Sequence, residues 1–203
     1  MIGYYLQGGG AEEIPLTVSF VDGRGFTTLA ERSGPAGAME IVNRHLEVIL
    51  DVVFTHRGSC LKIQGDGVLL GFGLRDEDRD RHAAQSLECA LGIQQAIAAY
   101  HEGCSADRRL RFGIGISTGK VILGAVGIKE RRDVAIIGDT TNTAQRLMAM
   151  ARSGEVLLSG QTLAAAGNHF EVEFLESTLV KGKSQKVEVY KLLGQKSGDR
   201  SVK

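Results

Sequence analysis

Two aspartates that each follow an apolar run and precede a glycine are the residues best suited to chemistry in this sequence. Asp22 follows residues 16–21, and Asp66 lies between residues 60–64 and 68–72. Two carboxylates at the tips of neighbouring strands can hold a pair of divalent cations about 3.5–4 Å apart, an arrangement that activates an attacking hydroxyl and stabilises a leaving phosphate oxygen. Taken singly, an Asp-Gly step is also what a tight turn prefers.

The segment after the first aspartate has the composition of a phosphate cradle. Gly23, Gly25, Phe26 and Thr27 precede a segment with helical periodicity. Small residues at such a position let backbone N–H groups approach phosphate oxygens closely. A metal pair beside a phosphate cradle is chemically coherent.

Three further residues could bind a nucleotide. Asn142 and Arg146 are four residues apart in a predicted helix, so they share one face. They either form a polar outer face, or the amide orients a sugar ring while the guanidinium stabilises charge that develops on a phosphate. Lys181, beside Gly182 and Lys183, is either a turn charge or a contact for a triphosphate. These residues alone leave both interpretations open.

The elements that would position these residues follow from hydrophobic periodicity and turn signals. Asp66-Gly67 predicts a hairpin, and Thr118-Gly119-Lys120 predicts a second one. Strands are predicted at residues 16–21, 60–64, 68–72, 110–117, 121–126, 156–159, 169–175 and 187–193, and helices at 38–54, 83–100 and 140–150. Hairpins that alternate with helices favour an α+β fold, and we expect a ferredoxin-like antiparallel sheet with helices packed on one face.

Length and composition predict a single domain. The chain has 203 residues, enough for one sizeable core. Residues 1–13, rich in glycine, are interpreted as a linker or cloning remnant that could join an upstream regulatory or sensor domain, residues 14–195 as the functional domain, and residues 196–203 as a flexible C-terminal tail.

Charge and cysteine content exclude several function classes. Acidic and basic residues number 24 each, so no bulk field favours nucleic acid. No apolar run approaches the ~18–20 residues that a membrane helix needs, and no signal peptide is evident, so we expect a cytoplasmic protein without a membrane segment. Cys60, Cys89 and Cys104 lack metal-ligand spacing and are expected to be reduced thiols.

From about residue 16 to residue 193, the order of these motifs resembles the catalytic domain of class III adenylyl and guanylyl cyclases, most closely the bacterial adenylyl cyclases. The motifs are D-x-x-G-F-T from Asp22, K-x-x-G-D from Lys62, G-D-T-x-N-x-A-x-R from residue 138 and V-K-G-K from residue 180. The resemblance implies that residues 14–195 are a nucleotidyl cyclase catalytic domain that binds two Mg²⁺ or Mn²⁺ ions per active site.

The resemblance also implies a role for each candidate. Asp22 and Asp66 would bind the metals, aided by the carbonyl of Gly23. The other subunit of a homodimer would contribute four residues: Lys62 would select the base, Asn142 would orient the ribose, Arg146 would stabilise the transition state, and Lys181 would contact phosphates. Two equivalent composite sites would follow from the two-fold symmetry.

Two positions bear on the choice of purine. Lys62 stands where cyclases select the base, and an ammonium favours adenine, whose N1 is an acceptor. Ala135 stands where adenylyl cyclases usually have Asp, Thr or Ser, and an alanine cannot accept from the adenine amino group, which predicts relaxed selectivity. Gly23 also replaces a bulky aliphatic residue, which predicts a more mobile loop.

The sequence therefore predicts an adenylyl cyclase that converts ATP to 3′,5′-cyclic AMP and pyrophosphate. One alternative is a guanylyl cyclase or a cyclase of mixed specificity. An alternative of another class is a catalytically weak nucleotide-binding domain that serves as a regulatory dimerisation module.

Overall fold

The computed structural model describes residues 10–128, 131–179 and 186–196. In chain order these residues form β1 (Glu12–Arg24), α1 (Phe26–Thr55), β2 (Ser59–Gln64), β3 (Gly67–Phe72), α2 (His82–Glu102), β4 (Arg111–Ile128), β5 (Arg131–Ile137), α3 (Asp139–Met150), β6 (Val156–Ser159), α4 (Gly160–Ala166), β7 (Phe170–Leu179) and β8 (Lys186–Gln195). Two short 3₁₀ helices lie at Asp76–Asp78 and Ala106–Arg108.

The strands form one sheet in the order β2-β3-β1-β4-β6-β8-β7, and β5 pairs with β4 outside this path. The predicted α+β class is confirmed. One pair departs from the expected antiparallel pattern, because β4 and β6 run parallel through Ile114↔Val156 and Ile116↔Leu158. The helix α3 connects these two strands through β5, as parallel pairing requires a long crossover.

The central strand β1 is buried on both faces, and this explains where the helices lie. Ser19 and Val21 face α1 and α2, as the Ser19–Ser86 hydrogen bond of 2.7 Å illustrates. The alternate residues Ile14, Leu16, Val18 and Phe20 pack in a second cluster with Ala144 and Met148 of α3. The helices were expected on one face, but α3 covers the opposite one because both alternating sets of apolar side chains need cover.

The second predicted hairpin does not exist. Residues 118–120 continue β4 without interruption, and Gly119 pairs with Leu16 of β1. Gly119 is small for another reason, since a Cβ there would lie 2.6 Å from Thr140 Oγ1. The actual hairpin joins β4 to β5, which the sequence did not predict.

The hairpin that contains Asp66 is present. β2 and β3 pair antiparallel, and Gln64↔Gly67 closes a two-residue loop in which Gly65 has φ 59°. The loop is therefore Gly65-Asp66 rather than the Asp66-Gly67 pair read from the sequence. This shift places the Asp66 side chain at the tip of the hairpin, beside the end of β1.

Helix α1 begins earlier than predicted. It starts at Phe26 and kinks at Gly34, whose φ of 68° is non-helical, before Pro35 begins the longer segment. Because Gly34 and Pro35 interrupt the helical pattern, the hydrophobic periodicity did not predict the first two turns of this helix.

Helix α3 lies unusually close to the sheet at Gly115. A Cβ at Gly115 would overlap the backbone of Ala144 and Met148, with Met148 Cα only 2.6 Å away. The helix backbone therefore rests directly on strand β4, and its position relative to the sheet is fixed.

The cysteines Cys60, Cys89 and Cys104 are free thiols, as predicted. Burial raises the pKa of Cys89 to about 12, so this thiol is inert at neutral pH. Among the described residues, no helix has the length and apolar character to cross a membrane.

Gly115→Ala should destabilise the protein by about 3 kcal/mol or more, because the new methyl group meets helix backbone that cannot rotate away. Urea unfolding followed by circular dichroism measures the change. Gly194→Ala in β8 is the matched control, since no atom lies within 4 Å of its Cβ position. Equal stabilities for the two variants would show that α3 does not press on β4.

Candidate active site

The carboxylates of Asp22 and Asp66 lie crosswise at the end of the β1–β3 pair. The last pair in the register is Val21↔Val68, so Asp22 faces Gly67. A Cβ on Gly67 would lie 2.9 Å from Asp22 Oδ1, and a Cβ on Gly23 would lie 3.0 Å from Asp66 Cγ and overlap its Oδ2. Each carboxylate thus occupies the space above the glycine that follows the other aspartate. The structure brings the two predicted metal ligands together.

Gly23 lies in a strand rather than in the expected loop. It is part of β1 and pairs with Phe112 of β4. The absence of a side chain at this position makes room for the Asp66 carboxylate.

Electrostatics at this site favour a cation. Burial raises the pKa of Asp66, and the neighbouring charge of Asp22 raises it further. The backbone hydrogen bond of Asp66 and the nearby charge of Arg24 oppose these effects. Because ionised Asp66 is destabilised by burial and by a like charge, a cation bound between the two carboxylates would relieve both effects.

Arg24 is the residue that sequence reasoning missed. Its Nη1 donates to Asp22 Oδ2 at 2.5 Å, and its other nitrogens donate to Met148 O at 2.5 Å and Ala151 O at 3.2 Å at the end of α3. A signal was present, because residues two apart in a strand share a face and Arg24 follows Asp22 by two.

The predicted phosphate cradle lies at the start of α1. Gly25 precedes the helix with φ 83°, and Phe26 and Thr27 are its first two residues. The N–H groups of a first helical turn have no partner within the helix. The backbone N–H groups of Phe26 and Thr27 therefore begin the helix four and five residues after Asp22.

Asn142 and Arg146 lie on α3, as predicted. Asn142 is exposed and Arg146 is half-buried. Thr140, half a turn before Asn142, packs on Gly119, whereas Asp22 pairs with Gly113. At about 3.3 Å per strand residue, the six residues from Gly113 to Gly119 place Thr140 on the order of 20 Å from Asp22 along the sheet, and Asn142 is only two helical residues nearer. Arg146 is closer to that end of the sheet, because Met148, two residues later, accepts a hydrogen bond from Arg24. One protomer therefore does not bring Asn142 to the carboxylates.

The remaining candidates are also dispersed. Lys62 is exposed on β2 and lies opposite Leu69, which in turn lies opposite Phe20, so it is separated from β1 by β3. Ala135 is half-buried on β5 opposite Gly124, on the order of 35 Å from the aspartates at the strand rise. Lys181 lies outside the described residues.

Comparison with known proteins identifies the family. The sequence profile described as "Adenylate and Guanylate cyclase catalytic domain" matches residues 11–194. The chain belongs to this cyclase family. It is a class III nucleotide cyclase catalytic domain, adenylyl or guanylyl.

Relatives of this cyclase domain include both substrate types. Over 185 residues it is 30% identical to "Adenylate cyclase 1" of Rhizobium meliloti, covering 88% of this chain and 27% of that protein. The solved guanylyl cyclase Cya2 is 27% identical with a TM-score of 0.79, and covers 94% of this chain and 98% of its own. The adenylyl cyclase CyaB from P. aeruginosa is 25% identical with a TM-score of 0.78, and covers 93% and 98%. The chain therefore spans about a quarter of the curated relative.

The donor atoms of the cyclase site fit a hard divalent cation. Asp22 and Asp66 offer carboxylate oxygens, and the carbonyl of Gly23 points to the same space, since Arg24 Nη1 contacts both Asp22 Oδ2 and Gly23 O, the latter at 3.2 Å. Oxygen-only ligands suit Mg²⁺ and Mn²⁺. Within the described residues, no group of three or more His, Cys, Asp or Glu side chains forms a competing metal site.

Asp66→Asn should stabilise the metal-free domain at neutral pH. The raised pKa of Asp66 means that its contribution to stability is fully present below the ordinary Asp value of about 3.9 and is lost as pH rises through the native value. The free energy of unfolding of Asp66→Asn should therefore exceed that of the wild type by a small amount at pH 4 and by a larger amount at pH 8. Urea unfolding with a chelator present measures this difference.

The exposed Asp51→Asn variant is the control and should lack this pH dependence. Added Mn²⁺ should make the wild type more stable than Asp66→Asn, because only the wild type keeps both carboxylates. A wild type that is the more stable protein at pH 8 without metal would contradict the electrostatic account.

Proposed function

We propose that this chain is an adenylyl cyclase domain that converts ATP to 3′,5′-cyclic AMP and pyrophosphate in a homodimer. The observation that carries the proposal is the crosswise packing of Asp22 and Asp66 beside the first turn of α1. Two adjacent carboxylates followed in the chain by the N–H groups of a first helical turn suit a triphosphate with its divalent ions better than any uncharged ligand.

In the proposed reaction, the ribose 3′-oxygen bonds to the α-phosphorus, the bond from that phosphorus to the β-phosphate bridging oxygen breaks, and pyrophosphate leaves. The hydroxyl proton passes to water, so no protein general base is required. The divalent ions, when bound, lower the pKa of the 3′-hydroxyl and neutralise phosphate charge. Asp22 and Asp66 would hold these ions, and the N–H groups of Phe26 and Thr27 would orient the phosphates.

The second protomer would complete the site. Asn142 would orient the ribose, Arg146 would stabilise the charge that develops at the α-phosphate, and Lys181 would hold the departing phosphates. Support for this division comes from the distance within one protomer, because Asn142 and Asp22 are separated along the same sheet. Two-fold symmetry would then give two equivalent sites.

Adenine is the proposed base because of Lys62, whose ammonium can donate to the N1 acceptor of adenine, whereas guanine carries a proton there. Lys62 is exposed at the sheet surface and is accessible to a second protomer. Ala135 supplies no acceptor for the adenine amino group, and the missing hydrogen bond should reduce the selectivity for ATP over GTP by about 0.5–1.5 kcal/mol. A cyclase of mixed specificity is therefore the second candidate, and similarity to the guanylyl cyclase Cya2 is compatible with it.

A regulatory module without turnover is the candidate from another class. The crossed carboxylates argue against it, because a purely structural domain gains nothing from two adjacent, partly buried acids whose charges repel.

Cyclic nucleotide formation from ATP and from GTP tests the proposal. With Mg²⁺ or Mn²⁺, ATP should be preferred roughly tenfold, and specific activity should rise with protein concentration as dimers form. Lys62→Glu should lower kcat/KM for ATP and reduce the preference for ATP over GTP. Excess cyclic GMP would overturn the adenine assignment, and absence of product from either nucleotide would favour the regulatory module.

Mixing two inactive variants tests the composite site. Asp22→Ala and Asn142→Ala should each be inactive as homodimers. Their equal mixture should regain about a quarter of wild-type activity, since half of the dimers are mixed and each has one intact site. A mixture that stays inactive while the two proteins exchange subunits would show that the residues act within one protomer.

A further inference from the structure

We propose that Arg24 is the resident counter-cation of this site: its guanidinium holds the place beside Asp22 that a divalent ion takes, and it ties that carboxylate to the end of α3. This inference rests on the proposed function, because it assumes that Asp22 and Asp66 bind metal. It adds a positioning residue that none of the predicted roles includes.

The surroundings of Arg24 Nη1 resemble a cation site. Nη1 lies 2.5 Å from Asp22 Oδ2, 3.2 Å from Gly23 O and 3.4 Å from Asp22 O. These three oxygens are the hard donors that a divalent ion would use at this position. The ion pair is partly buried, with side-chain exposures of 23% for Arg24 and 36% for Asp22, so solvent screens it only in part.

The other half of the guanidinium is held by α3. Nη2 donates to Met148 O at 2.5 Å and Nε donates to Ala151 O at 3.2 Å. These carbonyls end the helix, where the backbone dipole favours a positive charge. Five contacts with oxygen atoms on one planar group leave little freedom, so the pairing with Asp22 is pre-organised.

The Arg24 guanidinium lies over a glycine of the neighbouring strand β4. Gly113 lies opposite Asp22, and a Cβ there would be 2.5 Å from Arg24 Nη2 and 2.9 Å from Arg24 Cζ. Any other residue at this position would force the guanidinium out. The glycine is therefore as much a part of the arrangement as the arginine.

Cation binding and the position of Arg24 are consequently linked. A divalent ion that binds through Asp22 Oδ2 and Gly23 O must displace Nη1, but the contacts with Met148 and Ala151 can persist and keep the positive charge close. The metal-free site is thereby protected from carboxylate repulsion at the expense of metal affinity. The same side chain connects the carboxylates to the helix that carries Asn142 and Arg146.

Binding of Mn²⁺ alone, followed through the electron paramagnetic resonance signal of the free ion, tests the inference without reference to turnover. Arg24→Gln retains hydrogen-bond donors and removes the charge, so Mn²⁺ should bind about tenfold more tightly, equivalent to roughly 1.4 kcal/mol. Gly113→Ala should also tighten binding, since it displaces the guanidinium by steric means.

Arg44→Gln is the matched control, because Arg44 also pairs with a carboxylate, Glu47 at 3.0 Å, on the surface of α1. It should leave Mn²⁺ affinity unchanged. Circular dichroism and urea unfolding of each metal-free variant establish that it is folded.

The outcomes distinguish a failure of the inference about Arg24 from a failure of the metal assignment. If the wild type binds Mn²⁺ and Asp22→Asn abolishes binding, but Arg24→Gln binds as the wild type does or more weakly, the inference about Arg24 is overturned and the metal site stands. If Asp22→Asn has no effect on Mn²⁺ binding, the metal assignment itself fails, and the role of Arg24 fails with it.

Discussion

Repulsion between two adjacent carboxylates is the constraint that shapes this end of the molecule. Burial and the charge of Asp22 both raise the pKa of Asp66, so the pair is unfavourable on its own. Its neighbours compensate: glycines give each carboxylate room, Arg24 supplies a positive charge, and the first turn of α1 presents N–H groups nearby. A site of this kind lowers the stability of the empty fold in exchange for affinity toward cations.

Contact between α3 and β4 limits how much of the proposed active site a single protomer can form. At Gly115 the helix backbone lies against the strand with no side chain between them. The helix therefore cannot slide along the sheet to carry Asn142 toward Asp22 without losing this contact. The close contact between helix and strand is therefore compatible with the proposed site shared between two copies.

The sequence predicted those parts in which local chemistry and tertiary structure agree. The Asp-Gly steps, the hairpin at Asp66 and the helix with Asn142 and Arg146 were found because turn preference and periodicity act over a few residues. Gly119 gave a false turn signal, since a glycine required by the approach of Thr140 cannot be distinguished in the sequence from one required by a turn. The spacing of Asp22 and Arg24 was a local signal for their pairing, but no local pattern connects Arg24 with Met148 and Ala151, which are more than a hundred residues away.

The crosswise glycines have a consequence for how such a site can change over evolution. Gly23 accommodates the carboxylate of Asp66, and Gly67 that of Asp22. A side chain acquired at position 23 would therefore redirect the aspartate of the other strand rather than its own neighbour. The two turns form one epistatic unit, in which the effect of a substitution in either depends on the residue present in the other. Divergence of metal preference could then proceed through the glycines while both aspartates stay in place.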